Sequence, residues 1–336
     1  MLPQTRTIAY FVHGHGRGHG SRALSVVPAL RAQSYDVRLF ASGDAIEMLA
    51  PLGALRERRL LRPGRGVLSE LLTRALAERS ELASLAPALV ISDGDQVALL
   101  AAKLLGLPSL ALGHDLVFTR CALPSQLPRR HLLQQRLNGL IPALLSTRRV
   151  AVHFLPLRSR DPHTSVARVE GEPRAADGPR IEHVVPYFRD DNGARVLALA
   201  ARAGVPVAVT DSLGQPGRLS REAFRGLLQG AVGAVGSAGS NLIAECVLFA
   251  TPLLALYRAD DAEQALNGQL LAAADAGMAC SFEQVDEAIV AQFWERARAR
   301  SFRSVALAEA LPSVVDAVLR RSAELLGSRD GEATCA

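Results

Sequence analysis

The stretch from Ser237 to Asn267, SAGSNLIAECVLFATPLLALYRADDAEQALN, decides the fold of this chain. A turn of small residues at 236–239 follows a short apolar run, and Ser240 and Asn241 stand where a helix should begin. Glycines in such a turn let a ligand approach the backbone, and the free N–H groups of a helix N-terminus attract anions. The turn therefore predicts a phosphate site.

Further polar side chains follow at the spacing of a helix and a strand. Glu245 is a carboxylate on an otherwise apolar helix, so it either faces solvent or has a polar partner, for which a ribose diol is suitable. Residues 253–256 form a buried run, and Glu263 and Gln264 follow its carboxyl end, the edge where open α/β sheets bind ligands. Taken singly, each of these motifs also suits an ordinary capped helix or a solvated loop.

Together, these residues resemble the donor-binding half of GT-B glycosyltransferases, in particular the MurG-type and UDP-glycosyltransferase superfamily with its bacterial and archaeal relatives. The family signature is (S/G)-x-G-x-x-x-x-x-E-A, then G-x-P, then (D/E)-Q-x-x-N-A. Six residues fall in that order with similar gaps: Gly239, Glu245, Pro252, Glu263, Gln264 and Asn267. The fold class implied is α/β with two Rossmann-like, doubly wound domains that face a central cleft.

The resemblance also implies roles for single residues on the donor side. Ser240 and Asn241 would contact the diphosphate after Gly239, Glu245 would hold the ribose hydroxyls, and Glu263 and Gln264 would hold the sugar. Phe224, fifteen residues before Gly239, resembles a family F-x-x-x-L segment whose backbone borders the nucleotide base. A UDP- or TDP-sugar is the co-substrate that this implies, with no obligatory cofactor.

A second constellation lies near the start of the chain. The apolar run TIAYFV at 7–12 is followed by HGHGRGHGSR at 13–22 and then by a helical pattern. A dinucleotide fingerprint fails here, because His19 or Ser21 stands where its third glycine is required. A metal site of His13, His15 and His19 is the alternative, although no acidic residue follows within the loop to orient such ligands.

The loop is similar to the G-x-G-H loop of MurG-type enzymes, and relatives of unassigned substrate read much like G-H-G-R-G-H-x-S-R. This resemblance implies that His19 is the general base and that Gly16 and Gly18 belong to the acceptor loop, without a metal. An imidazole suits the task because its ordinary pKa, near 6.5, lets it accept a proton from a hydroxyl at neutral pH.

Acidic residues at the end of a third apolar run are candidates for orienting this histidine. The run at 88–92 ends in Asp93-Gly94-Asp95, at the ligand edge of the predicted sheet. It resembles the family's D-x-V-(I/V)-S-D, which implies that Asp93 holds His19. Asp95 is the alternative partner, and an ordinary loop cap is the alternative role of Asp93. His114, at the end of the next strand, is expected to contact the acceptor or to be a buried structural histidine.

Composition is consistent with a two-domain enzyme and excludes several other classes. The chain has 336 residues and is 49% hydrophobic, which is sufficient for two cores. The four cysteines lack C-x-x-C spacing, and no apolar run is long enough to span a membrane or to act as a signal peptide. We therefore expect a cytoplasmic protein. The net charge of +5 comes with only 4% aromatic residues and no recognition motif, so no nucleic-acid partner is expected.

One basic and apolar segment indicates a different partner. Arginines at 129, 130, 136, 148 and 149 flank a leucine-rich helical pattern at 132–145. Such a helix can lie on an anionic membrane surface or cover a hydrophobic acceptor, or it can pack on the core. Peripheral membrane contact and a small-molecule or lipid-linked acceptor are both compatible with it.

Strand and helix patterns alternate along the whole chain. Apolar strands are predicted at 7–12, 36–41, 88–92, 109–112 and 150–154, so residues 1–155 are expected to form a parallel, doubly wound domain. The family resemblance implies that this is the acceptor-binding domain. Residues 156–182 are the predicted connection, 183–326 the nucleotide-sugar-binding domain with its final helices, and 327–336 a flexible tail. Asp190 and Asp191 follow the first strand of the second domain, where two carboxylates would repel a diphosphate.

The expected function is that of an inverting glycosyltransferase moving a hexose-type sugar from a UDP- or TDP-sugar to an acceptor hydroxyl, with His19 as base. Two alternatives share the fold. An epimerase or hydrolase would convert the donor without an acceptor, and a non-catalytic binding protein would bind the nucleotide sugar without turnover.

Overall fold

A computed structural model of the chain describes residues 5–15, 17–60, 67–174, 179–188, 192–208, 220–303 and 305–333. In its first half, parallel strands form a sheet with the order β3-β2-β1-β4-β5-β6-β7. These strands are β1 (Thr7–Val12), β2 (Asp36–Ser42), β3 (Leu55–Arg58), β4 (Leu89–Asp93), β5 (Ser109–Gly113), β6 (Arg148–Val152) and β7 (Thr164–Ala167). The helices between them are α1 (Arg17–Ala32), α2 (Asp44–Leu49), α3 (Val67–Leu85), α4 (Gln96–Leu104), α5 (Leu116–Arg120), α6 (Arg129–Asn138) and α7 (Leu140–Leu145).

The interior of this sheet follows from the buried apolar runs. β1 pairs with β2 on one side and with β4 on the other, and every residue of β4 and β5 is buried. A strand covered on both faces reads as a continuous apolar run, which is why sequence alone locates it. The five predicted strands are confirmed as β1, β2, β4, β5 and β6, with ends shifted by up to two residues.

The two edge strands were not expected. β3 has the sequence LRER, with two exposed residues between two half-buried ones, and β7 is a four-residue strand within the range predicted as the interdomain connection. An edge strand has one neighbour and tolerates charged side chains, as in β3, or other polar ones, as in β7, so its sequence lacks a continuous apolar run. The first sheet thus extends to Ala167, beyond the boundary expected at residue 155.

The second half repeats the architecture with a smaller parallel sheet, ordered β11-β10-β9-β8. Its strands are β8 (Ile181–Tyr187), β9 (Ala231–Ser237), β10 (Leu253–Tyr257) and β11 (Gly277–Ser281). Its helices are α8 (Asn192–Arg202), α9 (Arg221–Gly230), α10 (Ser240–Leu248), α11 (Ala262–Ala273), α12 (Glu287–Arg298), α13 (Val305–Glu309) and α14 (Val314–Ala333). Between Val205 and residue 208, the described residues form one isolated β-bridge, which pairs Val207 with Val184 of β8. Residues 209–219 lie outside the described residues.

The two halves are packed together. One hydrophobic cluster runs from Ile8 in β1 through Leu253 in β10 to Leu326 in α14. The final helix α14 lies against the first half, where Arg6 Nη1 donates to the Leu326 carbonyl at 3.1 Å and Arg321 Nε donates to Ser165 Oγ at 2.9 Å. This helix continues to Ala333, through most of the segment predicted as a flexible tail. None of the described helices combines the length and the apolar character needed to cross a bilayer.

Candidate active site

The predicted site residues lie where the carboxyl ends of the two sheets meet. α1 follows β1 in the first half, and α10 follows β9 in the second. The two helix N-termini touch: a Cβ atom at Gly18 would lie 2.1 Å from Asn241 Nδ2. Only a glycine leaves room for this contact, which brings the predicted acceptor loop against the predicted diphosphate site.

His19 and Asp93 are brought together at this edge. His19, in the first turn of α1, places Nδ1 2.6 Å from Oδ1 of Asp93, the last residue of β4. The Asp93 side chain is fully buried, whereas that of His19 is 24% exposed. A carboxylate on Nδ1 leaves Nε2 as the nitrogen that can accept a proton. Asp93 thus fixes the ring through Nδ1, and Nε2 is the nitrogen left for a substrate.

Arg22 is a third member of this group, and no role was predicted for it. Its Nε donates to Asp93 Oδ2 at 3.1 Å, its Nη2 donates to Asp93 Oδ1 at 2.5 Å, and the same Nη2 lies 2.8 Å from His19 Nδ1. Burial alone would raise the pKa of Asp93, but the charges of Arg22 and then His19 outweigh it and hold that pKa below its usual range. Asp93 is therefore ionised.

The alternative partner, Asp95, has a different task. It is the N-cap of α4 and accepts a hydrogen bond from the Ala98 N–H at 3.1 Å. Between the two acids, Gly94 has φ +82°, and a Cβ there would lie 2.6 Å from His19 Cε1. The geometry favours Asp93 as the partner of His19 and makes Gly94 part of the wall against which the ring rests.

His13, another histidine of the loop, packs beside His19. The His13 ring meets that of His19 edge to face, with centroids 5.9 Å apart. Burial, and then the neighbouring His19, lower the pKa of His13. Within the described ranges, no group of three His, Cys, Asp or Glu residues could hold a metal ion. Gly16, the other predicted loop glycine, lies outside the described residues, as do Asp190 and Asp191.

On the donor side, α10 presents an open N-terminus. Gly239 is its N-cap, and the first helical hydrogen bond shown there runs from the Ile243 N–H to the Gly239 carbonyl at 3.1 Å. Helix geometry leaves the preceding N–H groups, those of Ser240 and Asn241 among them, directed at the turn. A Cβ at Gly239 would have no atom within 4 Å, so the space beside this residue is open.

Glu245 is held by a cation that the sequence interpretation missed. Arg225 Nε donates to Glu245 Oε1 at 3.2 Å, and Arg225 Nη2 donates to the carbonyl of Glu170. Glu245 and Asn241 of α10 line a small cleft together with residues from α1 and from the segment after β7: Gly18, Ser21, Arg22, Val169 and Glu170. Phe224, on the turn of α9 next to Arg225, packs its ring against Tyr187 with centroids 5.0 Å apart. The predicted ribose and base segments are thus adjacent.

Glu263 and Gln264 lie in the first turn of α11, which Asp261 caps by accepting from the Gln264 N–H at 3.0 Å. The Gln264 Oε1 atom is buried and has no hydrogen-bond partner in the described structure. Asp115, from the first half, is close enough to feel the charge of Glu263, and burial raises the pKa of Asp115. Polar groups from both halves therefore lie on the same side of the molecule here.

His114 joins the two halves. Its Nδ1 lies 3.1 Å from the Val152 carbonyl, and its Nε2 lies 2.8 Å from Oδ1 of Asn267 in α11. Asn267 is fully buried and also donates to the Ala238 carbonyl at 3.4 Å. Both ring nitrogens are engaged within the protein, so His114 presents no free nitrogen to an acceptor in this arrangement. Of the two roles expected for His114, its burial agrees with that of a buried structural histidine and not with that of an acceptor contact.

The chain matches no protein-family model, and no curated protein is similar to it at a significant level. Solved structures are similar to it over nearly their whole length. MurG of Acinetobacter baumannii is 16% identical, with 94% of this chain and 99% of that chain covered and a TM-score of 0.67. LpCGTa in complex with UDP is 16% identical, with 99% and 100% covered and a TM-score of 0.63.

A third similar structure is the glycosyltransferase VinC in complex with DTDP, which is 14% identical, with 96% and 100% covered and a TM-score of 0.62. The chain has the GT-B fold. The GT-B fold consists of two Rossmann-like halves. The 7-stranded and 4-stranded parallel sheets of this chain correspond to these two halves. The expected fold class is thereby confirmed. At these identities the likeness is one of fold.

Proposed function

We propose that this GT-B protein is an inverting glycosyltransferase that moves a hexose-type sugar from a UDP- or TDP-sugar to an acceptor hydroxyl. The observation that carries the proposal is the His19–Asp93 pair, with its 2.6 Å hydrogen bond, next to the open N-terminus of α10. A base and an anion-binding helix end are the two groups that such a transfer needs on opposite sides of the reacting carbon.

In the proposed reaction, His19 Nε2 removes the proton of the acceptor hydroxyl while the oxygen of that hydroxyl attacks the anomeric carbon. The bond from that carbon to the diphosphate oxygen breaks on the opposite face, and the nucleoside diphosphate leaves with the bonding electron pair. Asp93 stabilises the imidazolium formed in this step. Residues 240–241 would meet the diphosphate charge with backbone N–H groups and the helix dipole, so no metal is obligatory.

The first test is binding, since it does not require a known acceptor. UDP and TDP, titrated calorimetrically, should bind with 1:1 stoichiometry, and EDTA should leave the affinity unchanged. Failure of both nucleotides to bind would contradict the donor assignment. Product analysis with a UDP- or TDP-sugar alone distinguishes the alternatives: an epimerase or hydrolase consumes the donor without acceptor, and a binding protein leaves it intact.

The second test concerns the base. Replacing His19 by Ala should lower kcat for transfer by about 10²- to 10⁴-fold, because the acceptor hydroxyl loses its proton acceptor. The dissociation constant for UDP should stay within a factor of about three, since His19 would act on the acceptor rather than the nucleotide. Wild-type transfer rates in the His19→Ala variant would disprove the base assignment.

We also propose that the first half binds an anionic membrane surface, where a lipid-linked acceptor would be found. Exposed leucines line α6 and α7, with Leu133, Leu137 and Leu144 each at least 60% exposed. Arg129 and Arg130 are exposed at the start of α6. Further exposed leucines lie on α3, which shares a small buried cluster with α7 and α4. Apolar side chains beside cations are typical of a surface that inserts among anionic headgroups.

Flotation with phosphatidylglycerol vesicles tests this surface. The protein should float with these vesicles and not with phosphatidylcholine, and the double substitution Leu133→Ser and Leu137→Ser should abolish flotation. Ile181→Ser is the control, because Ile181 is equally exposed but lies on β8 in the other half. Equal binding to neutral vesicles, or an unchanged double variant, would exclude the proposed contact.

A further inference from the structure

Arg22 contacts both members of the His19–Asp93 pair, although a base and the carboxylate that orients it do not require a third residue. Its side chain is 7% exposed, and two of its nitrogens bind the two oxygens of Asp93. His19 Nδ1 and Arg22 Nη2 both contact the same oxygen, Oδ1, and lie 2.8 Å from each other. His19 therefore shares its carboxylate with a permanently charged guanidinium.

This sharing changes what Asp93 does to His19. A buried carboxylate needs a compensating positive charge. Among the described residues, Arg22 and His19 are the groups that can supply it to Asp93 by direct contact, so without Arg22 a protonated His19 would take this role. An imidazole protonated at rest cannot act as a base. Arg22 already neutralises Asp93, and a second cation 2.8 Å from the guanidinium is disfavoured by like-charge repulsion.

We infer that Arg22 is a positioning residue that keeps His19 uncharged at neutral pH, with its proton on Nδ1 toward Asp93 and with Nε2 ready to accept a proton. This inference rests on the proposed function for the identity of the base. It concerns the charge state of the His19–Asp93 pair, which can be measured without substrate.

Other titratable groups lie around the pair without a described hydrogen bond to the His19 ring, among them Asp115, which interacts with the charge of His19. His13 contacts the His19 ring edge to face, and its burial keeps it uncharged. Tyr10 lies beneath Asp93 and Arg22 in β1, and burial, followed by the charge of Asp93, raises its pKa, so it stays neutral. Asp115 and His114 follow β5, Asp95 caps α4, and His15 lies in the loop. Arg22 and Asp93 are the charged groups in direct contact with His19.

The inference predicts opposite effects for its two charged members. Arg22→Gln removes the permanent cation, so His19 should hold its proton to higher pH, and the acid limb of kcat/KM should move up by about one pH unit or more. Asp93→Asn removes the anion and should move the same limb down. Arg22→Lys keeps the charge, so its acid limb of kcat/KM should lie closer to that of the wild-type protein than the acid limb of Arg22→Gln does. A purely structural role for Arg22 would lower the rate without moving the limb.

The decisive measurement is an NMR titration of the histidine Cε1–H signals between pH 4 and 9. The His19 signal among the eight histidines is identified by its loss in His19→Gln. Its midpoint should rise by about one pH unit in Arg22→Gln. Arg31→Gln is the matched control, since it removes the same charge from an exposed position on the same helix. An unchanged midpoint in a folded Arg22→Gln protein would overturn the inference.

Arg22→Gln leaves a buried carboxylate without its cation and can unfold the protein. The comparison of Asp93→Asn with the double variant Arg22→Gln and Asp93→Asn removes the anion from both proteins. The double variant then contains neither buried charge, whereas Asp93→Asn keeps the buried cation Arg22, so circular dichroism must show that Asp93→Asn is folded. The double variant should titrate at higher pH than Asp93→Asn, and equal midpoints would also overturn the inference. A shifted midpoint in a protein that transfers no sugar would instead disprove the proposed function and leave the role of Arg22 intact.

Discussion

At the scale of single residues, the site depends on a glycine that holds no functional group. Gly94 has φ +82° and faces the His19 ring at a distance that admits no side chain. Gly94→Ala should displace the ring and lower kcat by about 10²-fold, because a misplacement of about 1 Å at a reacting group has that effect. The measurement is kcat with a folded protein, verified by circular dichroism.

The control for this prediction is Gly106→Ala. Gly106 has φ +67°, also unfavourable for alanine, but a Cβ there would have no atom within 4 Å. Both variants should lose about 1–2 kcal/mol of unfolding free energy from backbone strain. Only Gly94→Ala should lose activity, and equal loss of activity in both would attribute the effect to strain alone.

His153 makes the stability of the protein dependent on pH. It is buried, its Nδ1 accepts the Leu155 N–H at 2.9 Å, and burial, followed by the nearby His114, lowers its pKa well below 6.5. The unfolded chain takes up a proton at this position near pH 6.5 and the folded chain does not, so stability is present above that pH and falls below it.

The expected slope for this single group approaches about 1.4 kcal/mol per pH unit below pH 6. Urea unfolding between pH 4.5 and 8 should show this slope in the wild-type protein and a shallower one in His153→Phe. His163→Phe is the control, because His163 is exposed. The same slope in wild type and His153→Phe would refute the assignment of His153 as a neutral buried group.

At the scale of elements, the N-terminus of α10 provides a direct test of the donor site. Gly239 has an ordinary φ of −71° and open space where a Cβ would lie, so alanine should fit there at a cost of about 0.5–1 kcal/mol, the difference between glycine and alanine at an N-cap. If the diphosphate occupies that space, Gly239→Ala should weaken UDP binding about tenfold or more in calorimetry.

Gly226→Ala in α9 is the matched control for Gly239→Ala. It also has nothing within 4 Å of the added Cβ, and it should be neutral or stabilising by up to about 1 kcal/mol, as expected within a helix. UDP affinity should be unchanged in this control. Unchanged affinity in Gly239→Ala would place the diphosphate elsewhere.

At the scale of the whole molecule, the buried contact between His114 and Asn267 connects the two halves. Asn267→Ala would leave His114 Nε2 and the Ala238 carbonyl without this partner, at a cost of about 1–3 kcal/mol. Hydrogen exchange should then accelerate on both sides of the contact, around 114–118 and around 238–243.

An exposed position provides the comparison for this prediction. Asn138→Ala removes the same amide from an exposed position at the end of α6, and it should leave exchange at both segments unchanged. Acceleration confined to the second half in Asn267→Ala would show that the contact does not couple the halves.

Much of this architecture could be predicted from sequence because central parallel strands are buried on both faces. β4 and β5 are continuous apolar runs followed by polar residues, so both their position and the edge at which Asp93 stands could be inferred. β3 and β7 could not be predicted, because β3, with the sequence LRER, is mostly charged, and β7, with the sequence TSVA, is short and half polar. Neither edge strand therefore has an apolar run.

The sequence by itself determined the alternation of strands and helices, the glycine-rich turns and the chemical types gathered at the sheet edges. Only the tertiary structure decided which of these groups meet. Arg22 is three residues from His19 and shares its helix face, yet Asp93, seventy-four residues from His19, brings the two into one network. In the same way, Arg225 neutralises Glu245 and Asn267 binds His114. Such pairings depend on how elements pack in space, and burial then makes each charge require a partner that no local pattern specifies.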